Sequence, residues 1–369
     1  MHRIVRKPRL IAAGLAAVVI VAGGVAAASA SADDHGGSRY TVHNLVSDQA
    51  GKADHTDPNL VNAWGIAAGP TTPWWVNDNG TNVSTLYNGD GVAQFQPNPL
   101  VVSVDGGPSG IVFNGGSGFV VSDGNGDSGP ARFMFATEGG TIRGWNPGVP
   151  PPPLSTQSFV VVDKSGEGAV FKGLAIAGNE IFATDFHNAK VDVFDSSFNQ
   201  ITGGFVDPKI PSGFAPFGIQ NLGGNIFVTY AKQDAAAHDD VAGPGLGFVD
   251  EYSTSGTLIA RVAQRGRLNS PWGLVMAPSD FGKASGDLLV GNFGDGRINV
   301  FEPKKNGGFE TKDQLQGTNG KPVTIDGLWG IGFGNGSGSG DTNDLYFAAG
   351  PDGEMHGLFG EISVAPTHG

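Results

Sequence analysis

The chain has 369 residues, of which 61 are glycine and only 15% are charged. This excludes a coiled coil or other long-helix protein, because glycine disfavours a helix by about 1 kcal/mol relative to alanine at each position. The formal charge of −13 repels phosphate backbones and anionic membranes, so nucleic acid is not an expected partner.

Residues 1–32 have the organisation of an export signal. Four basic residues precede an uncharged apolar run, 10–28, and two small-x-small cleavage sequences follow, Ala28-Ser29-Ala30 and Ala30-Ser31-Ala32. Cleavage would release a secreted, extracellular chain, 33–369, with a formal charge of −17 and no membrane contact. Without cleavage the segment would be an N-terminal anchor, since 19 uncharged residues can just span a bilayer. We expect cleavage.

The chain contains no cysteine. Disulfides, thiolate metal sites and a cysteine nucleophile are therefore excluded. An exported protein of this size needs another source of stability, and a closed repeat architecture or bound Ca²⁺ would supply it.

A repeat occurs six times, and each copy begins with a two-residue anchor ending in glycine that leads into an apolar strand. The six anchors are Trp64-Gly65, Ser109-Gly110, Lys172-Gly173, Phe217-Gly218, Trp272-Gly273 and Trp329-Gly330. Their glycines are 45, 63, 45, 55 and 57 residues apart. A four-stranded propeller blade takes about 40–50 residues, so these spacings predict six blades, some with loop insertions.

Within the third repeat, Val191 and Val193 alternate with Lys190 and Asp192. This period of two predicts a strand with one buried face. Six such sheets bury their faces on one another when they are arranged radially. The sequence therefore predicts an all-β fold, a six-bladed β-propeller, as a single domain over 33–369; a sandwich or an open solenoid is the alternative.

The sixth repeat is short of one strand. Only two strands, 345–349 and 357–364, are predicted after its anchor, whereas a strand-like segment, 40–46, precedes the first anchor. We expect this N-terminal strand to complete the last blade by pairing with 357–364, which closes the ring.

Several segments resemble a family of secreted bacterial proteins known chiefly as an uncharacterised sequence family. They are 40–48, 56–65, 140–145, 268–273, 289–298 and 356–360. The resemblance covers essentially the whole chain after the signal, and it implies export and the propeller fold without an assigned activity. More distantly, the repeats are similar to NHL-repeat and gluconolactonase-like propellers, without a match to their catalytic residues.

The ends of the second strands predict a polar ring. Aligning the repeats places these residues at one position: Asn77, Asp123, Asp185, Tyr230, Asn292 and Ala349. Equivalent positions in a propeller surround one mouth of the channel, so these side chains could converge on Ca²⁺ or a polyhydroxylated ligand. We take Asp185, Asn292 and Asp123 as predicted metal ligands and Asn77 as a ligand contact. Alternatively, they are ordinary strand ends, where Asn and Asp bond nearby backbone amides.

The segment Asp123-Gly124-Asn125-Gly126-Asp127 spaces oxygen ligands at alternate residues, as Ca²⁺ loops do. It is not an EF-hand, because it lacks the sixth-position glycine and the twelfth-position glutamate. A plain glycine-rich turn is the alternative.

A long acidic loop, 231–246, contains Asp234, His238, Asp239 and Asp240. Long loops within compact blades are often functional, so this loop is a predicted lid or ligand contact on the same mouth as the polar ring. A solvated acidic insertion is the alternative. Asp295, in the matching turn of the fifth repeat, is a further predicted ligand contact.

The histidines and the tryptophans could each have a functional or a structural role. His187, His238 and His356 fall in predicted turns and could serve acid–base chemistry or a metal, but no catalytic motif accompanies them. The repeating tryptophans are expected to pack between blades rather than to form a sugar-stacking surface.

Two functions fit these features. The first is a secreted, monomeric binding or scaffold protein with a divalent cation at the channel mouth and a small-molecule, glycan or protein ligand. The second is a metal-dependent lactonase, hydrolase or lyase at the same mouth. The observation that distinguishes them is whether Asn77, Asp185, His187, Asn292 and the acidic loop converge within metal-ligand distance at one mouth. A wide mouth with scattered polar groups would favour the binding protein.

Overall fold

The computed structural model describes residues 38–305 and 307–366. The predicted export signal, 1–32, lies outside the described residues. Across the part that is described, no helix has the length and apolar character needed to cross a membrane.

The described chain is almost entirely β-structure, and its strands form six blade sheets in sequence order and one separate two-stranded sheet. It begins with β1 (Tyr40–Ser47) and β2 (His55–Thr56). Blade one has β3 (Ala63–Ala67), β4 (Trp74–Asp78), β5 (Val83–Tyr87) and β6 (Val101–Ser103). Blade two has β7 (Pro108–Phe113), a separate hairpin of β8 (Val120–Ser122) and β9 (Ser128–Pro130), then β10 (Phe133–Thr137), β11 (Thr141–Trp145) and β12 (Phe159–Asp163). Blade three has β13 (Phe171–Ala177), β14 (Glu180–Asp185), β15 (Lys190–Asp195) and β16 (Gln200–Ile201).

The second half of the chain repeats this order. Blade four has β17 (Phe214–Leu222), β18 (Asn225–Lys232), β19 (Gly247–Tyr252) and β20 (Leu258–Gln264). Blade five has β21 (Pro271–Met276), β22 (Leu288–Asn292), β23 (Ile298–Pro303) and β24 (Phe309–Gln314). Blade six has β25 (Leu328–Phe333), β26 (Leu345–Ala349), one irregular helical turn α1 (Pro351–Glu354) and β27 (Leu358–Val364).

The first strands of the blades contact one another in a closed circle. Strand β3 contacts β7, followed in order by β13, β17, β21 and β25, and β25 returns to β3. The six-bladed propeller predicted from the repeats is confirmed.

The anchor glycines explain how these inner strands approach so closely. A Cβ on Gly173 would lie 2.9 Å from the carbonyl oxygen of Phe217, and one on Gly330 would lie 2.7 Å from that of Trp64. The other four anchor glycines face the backbone of the next blade in the same way. A side chain at any of them would push two blades apart.

The N-terminal strand closes the ring as predicted. Strand β1 pairs antiparallel with β27, from Tyr40 opposite Val364 to Ser47 opposite Leu358. The hydroxyl of Tyr40 also donates to the carbonyl oxygen of Phe281 in blade five, at 2.9 Å. The first strand therefore serves as the outer strand of blade six, and it removes an exposed sheet edge.

One expectation about the strands was wrong. In β15 the valines are buried as predicted, but Asp192 on the other face is buried too, with 3% of its surface exposed. The strand lies in the middle of its sheet, and neighbouring blades cover both faces. Asp192 is stabilised there by Lys190, 2.9 Å away, and by the amide of Gln200, 2.7 Å away.

The channel mouth as a candidate functional site

The residue before each anchor glycine projects toward the axis of the ring. Trp64 of blade one stacks on Trp329 of blade six with ring centres 3.8 Å apart, and Trp272 of blade five contacts Trp329 edge to face at 6.0 Å. Phe217 of blade four meets the same indole at 5.7 Å. Only at the axis can residues from four blades touch. The tryptophans therefore fill the channel, whereas we had expected them between adjacent blades.

Blade three places Lys172 where most other blades place an aromatic ring. Its ammonium lies 5.1 Å from the centre of the Trp64 ring, and only 2% of its side chain is exposed. Two carboxylates bind this ammonium: Glu138 in direct contact and Asp239 at 3.1 Å. A buried lysine needs such partners, because removing a charge from water is strongly unfavourable unless it is paired.

These groups come from three consecutive blades. Glu138 follows β10 in the turn to β11, Lys172 lies in β13, and Asp239 belongs to the long loop between β18 and β19. Each is at the end of the ring where the inner strands begin. Together with His238, these residues form what we call the mouth cluster.

The charges of the mouth cluster shift one another's pKa values. Burial alone would lower the pKa of Lys172, but the carboxylates of Glu138 and Asp239 outweigh it and raise that pKa. For Asp239, partial burial is outweighed by the ammonium of Lys172, so its pKa is lowered. The lysine is therefore protonated and the aspartate ionised at neutral pH.

Two further carboxyl groups lie near the cluster with less compensation. Burial raises the pKa of Asp240 and that of Glu354. One carboxyl oxygen of Asp240 is buried without a hydrogen-bond partner. Among the described residues, these carboxyl groups outnumber the one ammonium, that of Lys172, that forms ion pairs within the mouth cluster.

A metal-competent trio lies within the mouth cluster. One ligand atom from each of Glu138, His238 and Asp239 falls within 4.8 Å of the other two. The Nδ1 atom of His238 is 2.9 Å from Asp239. Two oxygens and one imidazole nitrogen converge here, although Lys172 already contacts both carboxylates.

Two asparagines connect the cluster to the aromatic filling. Asn79 donates to Glu138 at 2.8 Å, and Asn62 donates to Glu354 at 2.7 Å. The indole N–H of Trp329 in turn donates to Asn62 at 3.1 Å. The carboxylates of Glu138 and Glu354 are therefore fixed in position relative to the channel.

The structure does not bring the polar ring predicted from the strand ends together. Asp185 is fully buried and accepts from the backbone of Val170 and from the Asn188 side chain, at 3.3 and 2.7 Å. The side-chain amide of Asn292 donates to the backbone carbonyl oxygen of Arg267 at 2.8 Å and to the carboxylate of Asp295 at 3.0 Å. Both residues, and Asp295 with them, stabilise turns of their own blades.

Asn77 and Asp123 are also placed away from the mouth cluster. The amide of Asn77 donates at 3.0 Å to the carbonyl of Ser109, across the interface of blades one and two. Asp123 lies in the turn of the β8–β9 hairpin, where it accepts the backbone amide of Asn125 at 2.8 Å. Its alignment with the other strand ends was wrong, because the second strand of blade two is β10. The hairpin follows the far end of β7, so Asp123 lies on the opposite face of the ring.

The long acidic loop does reach the channel mouth. Its His238 and Asp239 join the mouth cluster, and Asp234 shapes the loop by accepting the backbone amide of His238 at 2.9 Å. His187 is exposed on the neighbouring turn, and its carbonyl oxygen accepts from Gln233 at 3.3 Å. His356 lies apart and pairs with Asp48 at 2.8 Å.

Sequence reasoning missed Lys172, Glu138 and Glu354. The signal for Lys172 was present, since it is the one charged residue at a repeat position otherwise occupied by Trp, Phe or Ser. Glu138 and Glu354 carry no such signal, because they lie in turns of different lengths.

No family model matches the chain. Two uncharacterised proteins of Acanthamoeba polyphaga mimivirus are similar to it: R648, 34% identical over 88% of this chain and 80% of its own, and L690, 34% identical over 88% and 85%. The chain belongs to their family. These relatives are viral, so the resemblance to secreted bacterial proteins stays a prediction.

Solved structures show the same architecture. A Bacteroides thetaiotaomicron protein of unknown function aligns with a TM-score of 0.53 and 11% identity, over 89% of this chain and 76% of its own. The PQQ-bound aldose sugar dehydrogenase of Streptomyces coelicolor aligns with a TM-score of 0.50 and 13% identity, over 89% and 99%. At such identities the likeness shows the propeller fold alone.

Proposed function

We propose that the protein is a binding module that holds a divalent cation at the channel mouth through Glu138, His238 and Asp239. The observation that carries this proposal is the convergence of these three side chains from two different blades. Glu138 lies far along the chain from the adjacent pair His238 and Asp239, so local turn geometry does not account for its meeting with them.

The charge around the mouth supports a cation. Four carboxyl groups, those of Glu138, Asp239, Asp240 and Glu354, lie near the single ammonium of Lys172. A divalent ion would compensate the carboxylates that Lys172 leaves without a counter-charge.

The donor set favours a different metal from the Ca²⁺ expected from the sequence. Calcium prefers oxygen ligands alone, whereas imidazole together with carboxylates suits Zn²⁺ or another first-row transition metal. Three protein ligands would leave a coordination position for a polar ligand. We propose that this ligand is a small molecule or glycan, and that the protein acts as a monomer outside the cell, in keeping with the export signal.

Lys172 would compete with the metal. Its ammonium contacts two of the three ligands, so metal binding requires it to withdraw from Glu138 and Asp239. Removal of this ammonium in Lys172→Met should therefore increase metal affinity, since the competing charge is lost.

The test compares thermal unfolding with metal binding. Protein stripped with a chelator is titrated with Zn²⁺, Mn²⁺ and Ca²⁺ while the melting temperature is followed. A metal at 100 times its dissociation constant stabilises the native state by about 2.7 kcal/mol. We expect Zn²⁺ or Mn²⁺ to raise the melting temperature of the wild type, with little response in Glu138→Gln or His238→Ala. The matched control is His187→Ala, which removes an exposed histidine from the adjacent turn.

Two results would reject the proposal. One is the same melting temperature with and without every metal, together with no metal in the protein as purified. The other is an undiminished response in both Glu138→Gln and His238→Ala.

A metal-dependent hydrolase or lactonase is the second candidate, favoured by the open coordination position of the trio. A metal held by three protein ligands can activate water or polarise a carbonyl group. Lactone and ester substrates should then be cleaved only by metal-loaded protein, and His238→Ala should lose the activity while His187→Ala retains it. Metal binding without turnover of any substrate would leave the binding module as the function.

A further inference from the structure

A second acidic cluster lies between blades six and one, apart from the mouth cluster. Asp78, Thr85 and Tyr87 share the face of blade one that packs on blade six. Thr85 pairs with Val76 of β4, and Asp78 lies two residues further along that strand, so its side chain is on the same face. Asp57, from the segment joining β2 to β3, completes the group through its contact with Tyr87. We call these four residues the seam cluster.

Both hydroxyl hydrogens of the seam cluster are already donated, so with ionised carboxyl groups no side-chain hydrogen is left to donate. Thr85 donates its hydroxyl to Asp78 at 2.8 Å, and Tyr87 donates its hydroxyl to Asp57 at 2.9 Å. The other oxygen of Asp57 accepts the backbone and side-chain amides of Asn59, both at 2.9 Å. The cluster therefore presents only acceptor lone pairs to any further partner.

One carboxylate oxygen of the seam cluster has no partner. Asp78 is fully buried, and its Oδ1 atom accepts no hydrogen bond, whereas the equally buried Asp185 is bonded at both oxygens. Within the described ranges, 38–305 and 307–366, no basic side chain forms an ion pair with Asp57 or Asp78. An isolated buried carboxylate is strongly unfavourable unless a counter-charge accompanies it or it binds a proton, and burial raises the pKa of Asp78 well above its usual range.

One side of the seam cluster is accessible from the surface. A cavity of about 390 Å³ is lined by Asp57, Asn59 and Tyr87 on one side. Val46, His55 and Thr56, from the segment that closes the ring, line another side. An ion could reach Asp57 by this route, whereas Asp78 is fully buried and does not line the cavity.

We propose that the seam cluster binds a hard divalent cation, Ca²⁺, through Asp78 and Asp57. The donor chemistry selects this ion: the four residues of the seam cluster offer only oxygens, which is the set that calcium prefers, and His55 lines the cavity without belonging to the cluster. The ion would supply the counter-charge that Asp78 lacks. Because Asp57 belongs to the segment that follows the closing strand, bound Ca²⁺ would connect the closing segment to blade one. This proposal does not depend on the one made for the channel mouth.

The experiment is Ca²⁺ titration of chelator-treated protein, followed by calorimetric binding and by the melting temperature. Wild type and Glu138→Gln should bind one Ca²⁺ and melt at a higher temperature with it. Asp78→Asn and Asp57→Asn should lower the affinity for Ca²⁺ by at least about tenfold, as the loss of groups around a metal does. Asp185→Asn is the matched control, since it changes a buried aspartate whose oxygens already have partners.

Two outcomes would overturn this proposal. One is an unchanged Ca²⁺ affinity in Asp57→Asn, which alters a partly exposed residue and remains informative if Asp78→Asn does not fold. The other is no Ca²⁺ binding by the wild type, with Asp78→Asn more stable than the wild type at neutral pH; Asp78 would then be a neutral carboxyl group. A rise in melting temperature with Zn²⁺ that is lost in Glu138→Gln but kept in Asp78→Asn would report on the mouth cluster and not on the seam cluster.

Discussion

The inner ring and the channel mouth adjoin at Lys172, yet they are built in opposite ways. In the inner ring each blade contributes the same elements, a glycine that contacts the next backbone and a side chain that projects to the axis. At the mouth each blade contributes a different turn, and charged groups such as Lys172 and Glu138 meet there. The regular part determines how many blades close the circle, whereas the irregular part is where chemistry can differ between family members.

The largest effect should follow removal of the closing strand. A chain that begins at residue 48 lacks β1 and leaves the edge of β27 exposed, which favours pairing between molecules. We expect aggregation and a lower melting temperature, measured by size-exclusion chromatography and thermal unfolding. A chain that begins at Ser38 retains β1 and is the control. A monomeric elution profile and an unchanged melting temperature in the shorter chain would contradict the closure.

Truncation of the aromatic filling should give the next largest effect. Trp329 is 1% exposed and contacts Trp64, Trp272 and Phe293, so Trp329→Ala should lower the free energy of unfolding by about 3–5 kcal/mol. Trp272 is only partly buried, and Trp272→Ala should have a smaller effect. Denaturant unfolding measures both. Equal losses would mean that the filling is not organised around Trp329.

A smaller effect distinguishes buried from exposed lysine. Lys172→Met removes the ammonium from two carboxylates, and a hydrogen bond to a charged group is worth about 1.5–3 kcal/mol. Lys304 pairs with Glu310 at 3.5 Å and both side chains are exposed, so Lys304→Met should change stability by about 1 kcal/mol or less. Chemical denaturation in the presence of chelator is the measurement. A larger loss in Lys304→Met than in Lys172→Met would contradict the importance of the buried ion pair.

The smallest effect is a pH dependence of stability at the mouth. Burial raises the pKa of Glu354, so the native state binds its proton more tightly than the unfolded chain. The stability from this group is present at low pH and is lost as pH rises through the native pKa. Glu354→Gln should therefore raise the melting temperature more at pH 7 than at pH 4, measured with chelator present.

A surface carboxylate provides the opposite sign for this test. The hydrogen bond from Lys164 lowers the pKa of the exposed Glu167. Its contribution is present at neutral pH and is lost as pH falls, so Glu167→Gln should lower the melting temperature slightly at pH 7. The same response in both variants would show that burial does not control Glu354.

The sequence was sufficient for the strands of the inner ring, though not for the position of their tryptophans, because the repeat signal is local. The pair Trp64-Gly65 recurs in recognisable form in every blade, and 40–46 could only complete the last sheet. The mouth cluster is different, since Lys172 meets Glu138 across 34 residues and Asp239 across 67. Such meetings depend on turn lengths and on how far each blade is rotated, which periodicity does not encode.

The polar strand ends illustrate the same limit in a different way. Asp185 and Asn292 occupy equivalent strand ends, but the equivalent residue of blade one is Asp78 rather than Asn77. The sequence also does not show whether the oxygens at these positions are free. In the structure both carboxylate oxygens of Asp185 accept hydrogen bonds, whereas one oxygen of Asp78, another buried aspartate, accepts none. Hydrogen-bond saturation, rather than residue type, separates a turn residue from a candidate ligand.

The pairing of β1 with β27 determines how the ring responds to mechanical force. The backbone amide of Ala365 donates to the carbonyl oxygen of Arg39 at 2.7 Å, so the two strands leave the ring side by side. Tension applied through Arg39 and Ala365 would load the β1–β27 hydrogen bonds one at a time, beginning with the pair Tyr40 and Val364, which is the unzipping geometry. The ring should therefore open at this pair at low force, while the blades remain folded.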